Sequence, residues 1–148
     1  MKVSTKVECG IIALIDIAVN SRCGKVVKVN AIAERNNISA KYLEQIIPLL
    51  KQASIISSIK GASGGYILTR KPSDITLNEI VNALDKTIFS LTTFSDDLLS
   101  DANTAINNCL WEPITDYMCS FSEKITLETL ADRYNELNSI KSEPMYYI

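Results

Sequence analysis

"NAIAERNNISAKYLEQIIPLLKQASIISSIKGASGGYILTR", residues 30–70, is the stretch whose reading decides the fold. Asn30 is placed to cap a short helix, "AIAERNN", that turns Ile32 and Ala33 inward. Ser39 is placed to cap a second, "AKYLEQIIPLLKQ", in which Leu43, Ile46, Ile47 and Leu50 recur at the three- and four-residue spacing of one helix face. Little more than "NNIS" lies between them, and two helices joined by so short a turn predict a helix-turn-helix. Pro48 is expected to kink the second helix or to end its regular part early. The exposed positions of that helix's first turns are Ala40, Lys41, Tyr42, Glu44 and Gln45.

Directly after it, "SIISSI" and "YILTR" flank a glycine-rich turn. The chain has 5 glycines, and Gly61, Gly64 and Gly65 sit in this one place. Two β-branched or aromatic runs around such a turn predict a hairpin. A phosphate-binding loop is the competing reading, but the spacing is wrong and no Gly-Lys-Ser/Thr follows. Lys60, Arg70 and Lys71 make the hairpin basic. A helix-turn-helix followed by a basic hairpin is a winged helix, and the glycines suit a wing tip thin enough for its backbone to lie along a sugar–phosphate chain.

The chain of 148 residues, 47% of them hydrophobic, suffices for one domain, or one small domain with an appendage. Its most apolar run, "GIIALIDIAV", is about half the length of a membrane span and contains Asp16. A cytoplasmic protein with no membrane partner is expected. The 4 cysteines show no CxxC pairing, which suits free thiols in a reducing compartment. The absence of histidine removes the commonest general base and the commonest metal ligand, and no nucleophile–base pair stands at a recognisable spacing, so the chain does not read as an enzyme. The net charge of −2 conceals an asymmetry: residues 1–72 carry 11 Lys and Arg against 4 Asp and Glu, and residues 73–148 carry 4 against 13. A basic half joined to an acidic half suggests that the first meets a polyanion and the second does something else.

Outside the deciding stretch, residues 5–20 carry Val7, Ile11, Leu14, Ile15 and Ala18 on one helix face, with Gly24 as a stop. "SDITLNEIVNALDK" reads as a helix capped by Ser73 or Thr76, residues 90–100 as an acidic loop, and residues 101–124 as a long helix bent at Pro113. A short helix starts at "ITLETLAD", and the tail "SIKSEPMYYI" reads as extended. The expected architecture is therefore mainly α with a small β-hairpin: a winged helix-turn-helix in residues 1–72 and a dimerisation and regulatory region with a C-terminal tail in residues 73–148.

"STK" at 4–6, "AERNNISAKYLEQI" at 33–46 and "IKGASGGYIL" at 59–68 resemble the iron–sulfur-cluster-regulator, or Rrf-two, family of bacterial transcription factors. The resemblance continues through "ITLNEIVNALD", Leu110–Trp111 and "ITLETLAD", nearly the whole chain. It implies a winged-helix homodimer in which the long helix near residues 100–122 crosses its partner, bound to palindromic double-stranded DNA. Cluster-binding members place three cysteines in the loop before the dimer helix. Here that loop, residues 86–108, has neither Cys nor His, and Glu8, which stands where some members use a carboxylate ligand, has nothing to share a cluster with. No cofactor is expected. The tail "EPMYYI" resembles the cluster-free, CymR-like branch of cysteine-metabolism repressors. For that branch the resemblance implies a partner, cysteine synthase (O-acetylserine thiol-lyase), to which Tyr146, Tyr147 and Ile148 would present a free C-terminus; packing of the tail on its own dimer is the alternative. Other readings are a regulator of iron–sulfur biogenesis or nitrosative stress, and a protein-interaction module that no longer binds DNA.

Within the helix-turn-helix reading, the start of the second helix enters the major groove. Glu44 is matched to cytosine N4 and Gln45 to adenine. Lys41 and Tyr42 are assigned to phosphate, and Ser39 both caps and faces DNA. Taken alone Glu44 would be a solvated carboxylate; within the YLEQ motif a base contact is the better reading. Lys60, with the Gly61, Ser63, Gly64, Gly65 and Tyr66 backbone of the wing, approaches the sugar–phosphate, and the family's STK motif adds Lys6. Cys9 and Cys109 read as small core residues. Cys23, between Arg22 and Lys25, is the candidate redox thiol because nearby cations favour thiolate.

Overall fold

A computed structural model describes residues 3–90 and 100–142. The chain is built around α1 (Thr5–Asn20). Ser4 caps it by accepting from the Val7 N–H at 3.4 Å; of the face that the spacing predicts, Val7, Leu14 and Ala18 are buried and Ile11 and Ile15 partly so, while Ala13 and Ile17 are buried beside them. α1 ends in a 3₁₀ turn, Arg22–Gly24, where Cys23 takes a left-handed φ of 63° and Gly24 one of 77°.

The helix-turn-helix is α2 (Val29–Asn36) and α3 (Ala40–Gln52). α2 starts earlier than expected: Lys28 is the cap residue, with no side-chain bond, and Asn30 lies within the first turn. Asn37, left-handed at φ 52°, ends α2 and sends the chain back, with the Ile38 N–H bonded to the Ala33 carbonyl at 3.1 Å. Ser39 caps α3 by accepting from the Tyr42 N–H at 3.3 Å. α3 runs unbroken through Pro48. The proline deprives the Glu44 carbonyl of its donor, but both residues lie on the exposed face, where water replaces the bond, while Leu43, Ile46, Ile47 and Leu50 hold the opposite face in the core.

α3 closes on Ser54, left-handed at φ 58°, with bonds from the Ser54 N–H to Lys51 and from the Ile55 N–H to Leu50. This pattern favours glycine, so serine there carries the steric cost of a side chain in the left-handed region. β1 (Ile56–Ile59) and β2 (Gly65–Leu68) then form the antiparallel hairpin, pairing Ile56 with Leu68 and Ile59 with Gly65. The stretch "VVKV" contributes a third edge: Val27 and Tyr66 exchange both backbone bonds, at 2.9 and 2.8 Å.

After a 3₁₀ turn at Pro72–Asp74, α4 (Leu77–Leu84) begins with a full capping box between Thr76 and Glu79; Ser73 takes no part. α4 buries Ile80, Val81 and Leu84. Residues 91–99, most of the expected acidic loop, lie outside the described residues. α5 (Asp101–Ile106), a π turn (Asn107–Trp111) and α6 (Glu112–Lys124) follow one another without a break. The bend expected at Pro113 takes the form of this wider turn, in which the Glu112 N–H reaches back five residues to Asn107; lengthening the turn gives the proline ring room that an α-helical carbonyl would deny it. α7 (Leu127–Ser142) is longer than expected, taking in the start of the tail. A short clasp joins it to α4: the Leu77 N–H donates to the Ile125 carbonyl at 2.8 Å and the Leu127 N–H to Ile75 at 2.9 Å.

The core runs from α1 through α2, α3, the hairpin and α4 to Leu127 and Ala131 of α7, so elements of the basic and acidic halves share it. Relief of the left-handed serine is directly testable. Ser54→Gly should stabilise the protein by about 0.5–1 kcal/mol, since the strain of a non-glycine residue there exceeds glycine's own entropy cost. Urea unfolding should show a higher midpoint at unchanged slope.

Candidate nucleic-acid interface

α3 and the hairpin stand side by side. Lys41, Glu44 and Gln45 are exposed on the first turns of α3, Lys51 is exposed in its last turn, and Lys60, Gly61 and Ser63 are exposed at the wing tip. A groove of about 420 Å³ between α3 and β2 is lined by Glu44, Ile47, Pro48, Lys51, Gln52 and Tyr66. Helix and wing therefore offer two exposed cationic edges with a trough between them. Tyr42 differs from its neighbours: it is half-buried and packs on the core, so only part of it is offered outward. Lys6 sits half-buried in the first turn of α1, its charge felt by Asp85 at the end of α4.

Each glycine of the wing has an internal reason. A Cβ on Gly64 would lie 2.2 Å from the Ile59 carbonyl oxygen, and one on Gly65 would lie 2.7 Å from the Val27 carbonyl oxygen. Gly61 has open space around it but a φ of 115°. The cluster thus reports first on a turn in which backbone meets backbone within the protein, and the thinness of the tip is the outward result. Lys28, exposed at the start of the helix-turn-helix, donates to the Ala62 carbonyl at 3.2 Å and ties the tip back to it.

The basic hairpin is less uniformly available than its composition suggests. Arg70 turns to α4, donating to the Asp74 carbonyl at 2.9 Å and pairing with Glu79 at 3.2 Å. Partial burial pushes the Glu79 carboxyl up, but the Thr76 N–H, the Arg70 guanidinium and the Thr76 hydroxyl outweigh it and hold the group below its ordinary value.

The residues that sequence reasoning passed over orient this surface. Asp16, in the middle of α1, is 6% exposed. Its carboxylate accepts from Arg35 Nη2 at 2.6 Å and Nε at 3.0 Å, from Asn36 at 2.8 Å and from Asn20 at 3.3 Å. Bonding to Asp16 raises the Arg35 guanidinium above its ordinary value, against the opposing effect of burial. Arg35 and Asn36 are the last residues of α2, directly before the Asn37 turn. The signal was present in the sequence: a lone carboxylate inside "GIIALIDIAV" cannot stay buried without a partner.

Among the cysteines, Cys9 is buried; burial pushes its thiol up and the neighbouring Glu8 charge adds to the effect. Cys109 is exposed, contrary to its reading as a core residue. It lies in the π turn of a helical run whose apolar side chains Ile106, Leu110, Trp111, Ile114, Tyr117 and Phe121 are all at least 40% exposed, so no core covers those side chains among the described residues. Cys23 is exposed at the end of α1 and Cys119 is half-buried in α6. Tyr146, Tyr147 and Ile148 lie outside the described residues. Among the described residues no helix is long and apolar enough to cross a membrane.

A family model described as "Rrf2: Iron-dependent Transcriptional regulator" matches residues 3–133. The HTH-type transcriptional regulator IscR of Escherichia coli (strain K12 / DH10B) is 29% identical over 138 residues, 93% of this chain and 85% of that protein. Among solved structures, CymR (YrzC), the global cysteine regulator of B. subtilis, superimposes with a TM-score of 0.76 at 32% identity, covering 90% of this chain and 98% of its own. T. potens IscR does so with a TM-score of 0.73 at 31% identity, covering 99% and 95%.

The iron in the family description raises the question of a cluster, which is held by several thiolates around one centre. Among the described residues no three Cys, His, Asp or Glu side chains stand close enough to hold a metal ion. One of the four thiols is buried with its ionisation disfavoured, and the others sit in a 3₁₀ turn, a π turn and α6. The donors do not fit an iron–sulfur cluster.

The crowding at the wing yields a prediction. Gly64→Ala should destabilise the protein by about 2 kcal/mol, because the new methyl group meets backbone that has no room to relax. A lower urea midpoint would bear this out, and an unchanged one would show that the tip is looser than its geometry.

Proposed function

The chain belongs to the Rrf2 family of transcriptional regulators, and on that premise we propose that it is a homodimer that reads a palindromic duplex and represses genes of cysteine and sulfur metabolism. The observation that carries the DNA-binding reading is the disposition of its cations. Arg35 and Arg70 are paired with Asp16 and Glu79, whereas among the described residues no ion pair holds Lys41, Lys51 or Lys60, which stand exposed on helix and wing. Cations left solvated along two adjacent edges are what phosphates on either side of a groove require.

The homodimer is supported by the α5–α6 run. Ile106, Leu110, Ile114, Tyr117 and Phe121 follow one another at spacings of four and three, a continuous apolar face open to solvent. An exposed patch of that kind on a helix calls for a protein partner, and a second copy crossing it would set two recognition helices at a fixed separation, the geometry a palindrome needs.

Two features favour the cysteine branch: a donor set that does not fit a cluster, and the likeness to the B. subtilis global cysteine regulator. In this reading the C-terminal residues Tyr146, Tyr147 and Ile148 engage cysteine synthase, which reports the sulfur state of the cell. A regulator of iron–sulfur or nitrosative-stress genes is the second reading, favoured by the likeness to IscR.

Two measurements test the proposal. Glu44→Ala should relax sequence preference more than it weakens non-specific binding, whereas Lys60→Ala should weaken all duplexes and lower the salt slope by about 1; electrophoretic mobility shifts across a salt series separate the two. Calorimetry with the host's cysteine synthase should show binding by the full chain and its loss on deletion of Ile148. Absence of binding by either form would move the assignment to the second reading.

A further inference from the structure

Asp16 accepts four hydrogen bonds from three side chains, and two of those side chains, Arg35 and Asn36, close α2. The next residue, Asn37, makes the left-handed turn, and α3 begins three residues later at Ala40. Any rotation of the end of α2 on α1 is therefore passed through three residues to the base-reading turns of α3. The fork fixes direction as well as distance: Arg35 presents Nε to one carboxylate oxygen and Nη2 to the other, a two-point contact that a single charge could not reproduce. Asn36 is fixed from both sides, since its amide also donates to the Ile32 carbonyl at 2.9 Å. The clamp is also within reach of the acidic half, for Tyr134 of α7 lines, with Ile12, Ile15, Asp16 and Asn36, a small cavity beside it.

We infer that Asp16 is a positioning residue for sequence reading: through Arg35 and Asn36 it sets the angle at which α3 meets the bases, without touching nucleic acid itself. This rests on the DNA-reading role proposed above. Its consequence is a particular division of effects. Phosphate contacts tolerate a small change in helix angle because long lysine side chains follow it; bidentate contacts to base edges do not. Loosening the clamp should cost discrimination while leaving electrostatic attachment intact.

The test uses the full chain with two duplex probes of equal length, one selected by the wild-type protein from a random-sequence library and one scrambled. For Asp16→Asn the ratio of affinities for the two should fall roughly tenfold, the equivalent of one impaired base contact, with scrambled-duplex affinity and its salt slope unchanged. Arg35→Gln should give the same fall, and the double variant no more than either single one, because the residues act as a unit. Asn36→Ser leaves the charged pair intact and serves where Asp16→Asn does not fold; a smaller fall, about threefold, is expected. An unchanged ratio in the folded variants would overturn the inference. So would a drop in salt slope confined to Arg35→Gln, which would make Arg35 a phosphate contact in its own right. If the wild-type protein selects no duplex, the DNA-reading role itself fails and the inference goes with it.

Discussion

An ionised carboxylate inside an apolar helix dictates much of this structure. Asp16 faces the core from the centre of α1, with Ala13, Leu14, Ile17 and Ala18 buried around it. Removing such a charge from water costs several kcal/mol unless partners restore the lost solvation. Here the restoration is complete enough to be specific: a guanidinium fork and two amides fill the oxygens. A core of leucine and isoleucine alone would accept α2 in several nearby orientations. A buried charge accepts it in one, because every other leaves an oxygen unpaired. The pair is thus weak evidence of stability and better evidence of orientational uniqueness.

From that fixed point the remaining contacts follow outward. The turn after Asn36 places α3, Val27 at the start of the helix-turn-helix receives the edge of the wing at Tyr66, and Lys28 holds the wing tip through Ala62. The wing is thereby tied to the start of the helix-turn-helix by two backbone bonds and one side-chain bond as well as by packing. Elsewhere the apolar α5–α6 face has no cover among the described residues. In the reading proposed above, the helix-turn-helix and wing would meet a polyanion and the α5–α6 face a protein, in keeping with the +7 and −9 halves of the sequence.

The fold was legible wherever local chemistry decides. Ser39 and Thr76 cap because a hydroxyl before an apolar helix satisfies orphan N–H groups wherever it occurs, and the glycine cluster marks a hairpin because few other residues fit one. What escaped was non-local. Nothing in "VVKV" announces that Val27 pairs with Tyr66, and nothing in "AERN" that Arg35 reaches back to α1, since both depend on a partner distant in the chain. Pro48 does not end α3, for the opposite reason. Its local penalty is real, but a solvated carbonyl on one side and four buried side chains on the other absorb it. Cys109 misled because the apolar spacing of its helix is genuine while nothing among the described residues covers it. In the candidate site the exposed residues of α3 and the wing tip were readable from their motifs, whereas the pairing of Arg70 with Glu79 and the identity of the partners of Asp16 were not.

The clasp between Thr76 and Thr126 has an evolutionary corollary. By pairing the start of α4 with the start of α7, it holds together the two ends of everything between them, including α5 and α6. A segment closed in this way can be lengthened at small entropic expense, since doubling a flexible loop costs only about 0.6 kcal/mol. Its ends return to the same two points whatever lies within. Insertions and deletions beyond α4, whose own Ile80, Val81 and Leu84 belong to the core, are thereby kept apart from the half of the chain that carries α2, α3 and the wing. A lineage could lengthen or shorten the run after α4 and leave α2, α3 and the wing as it found them.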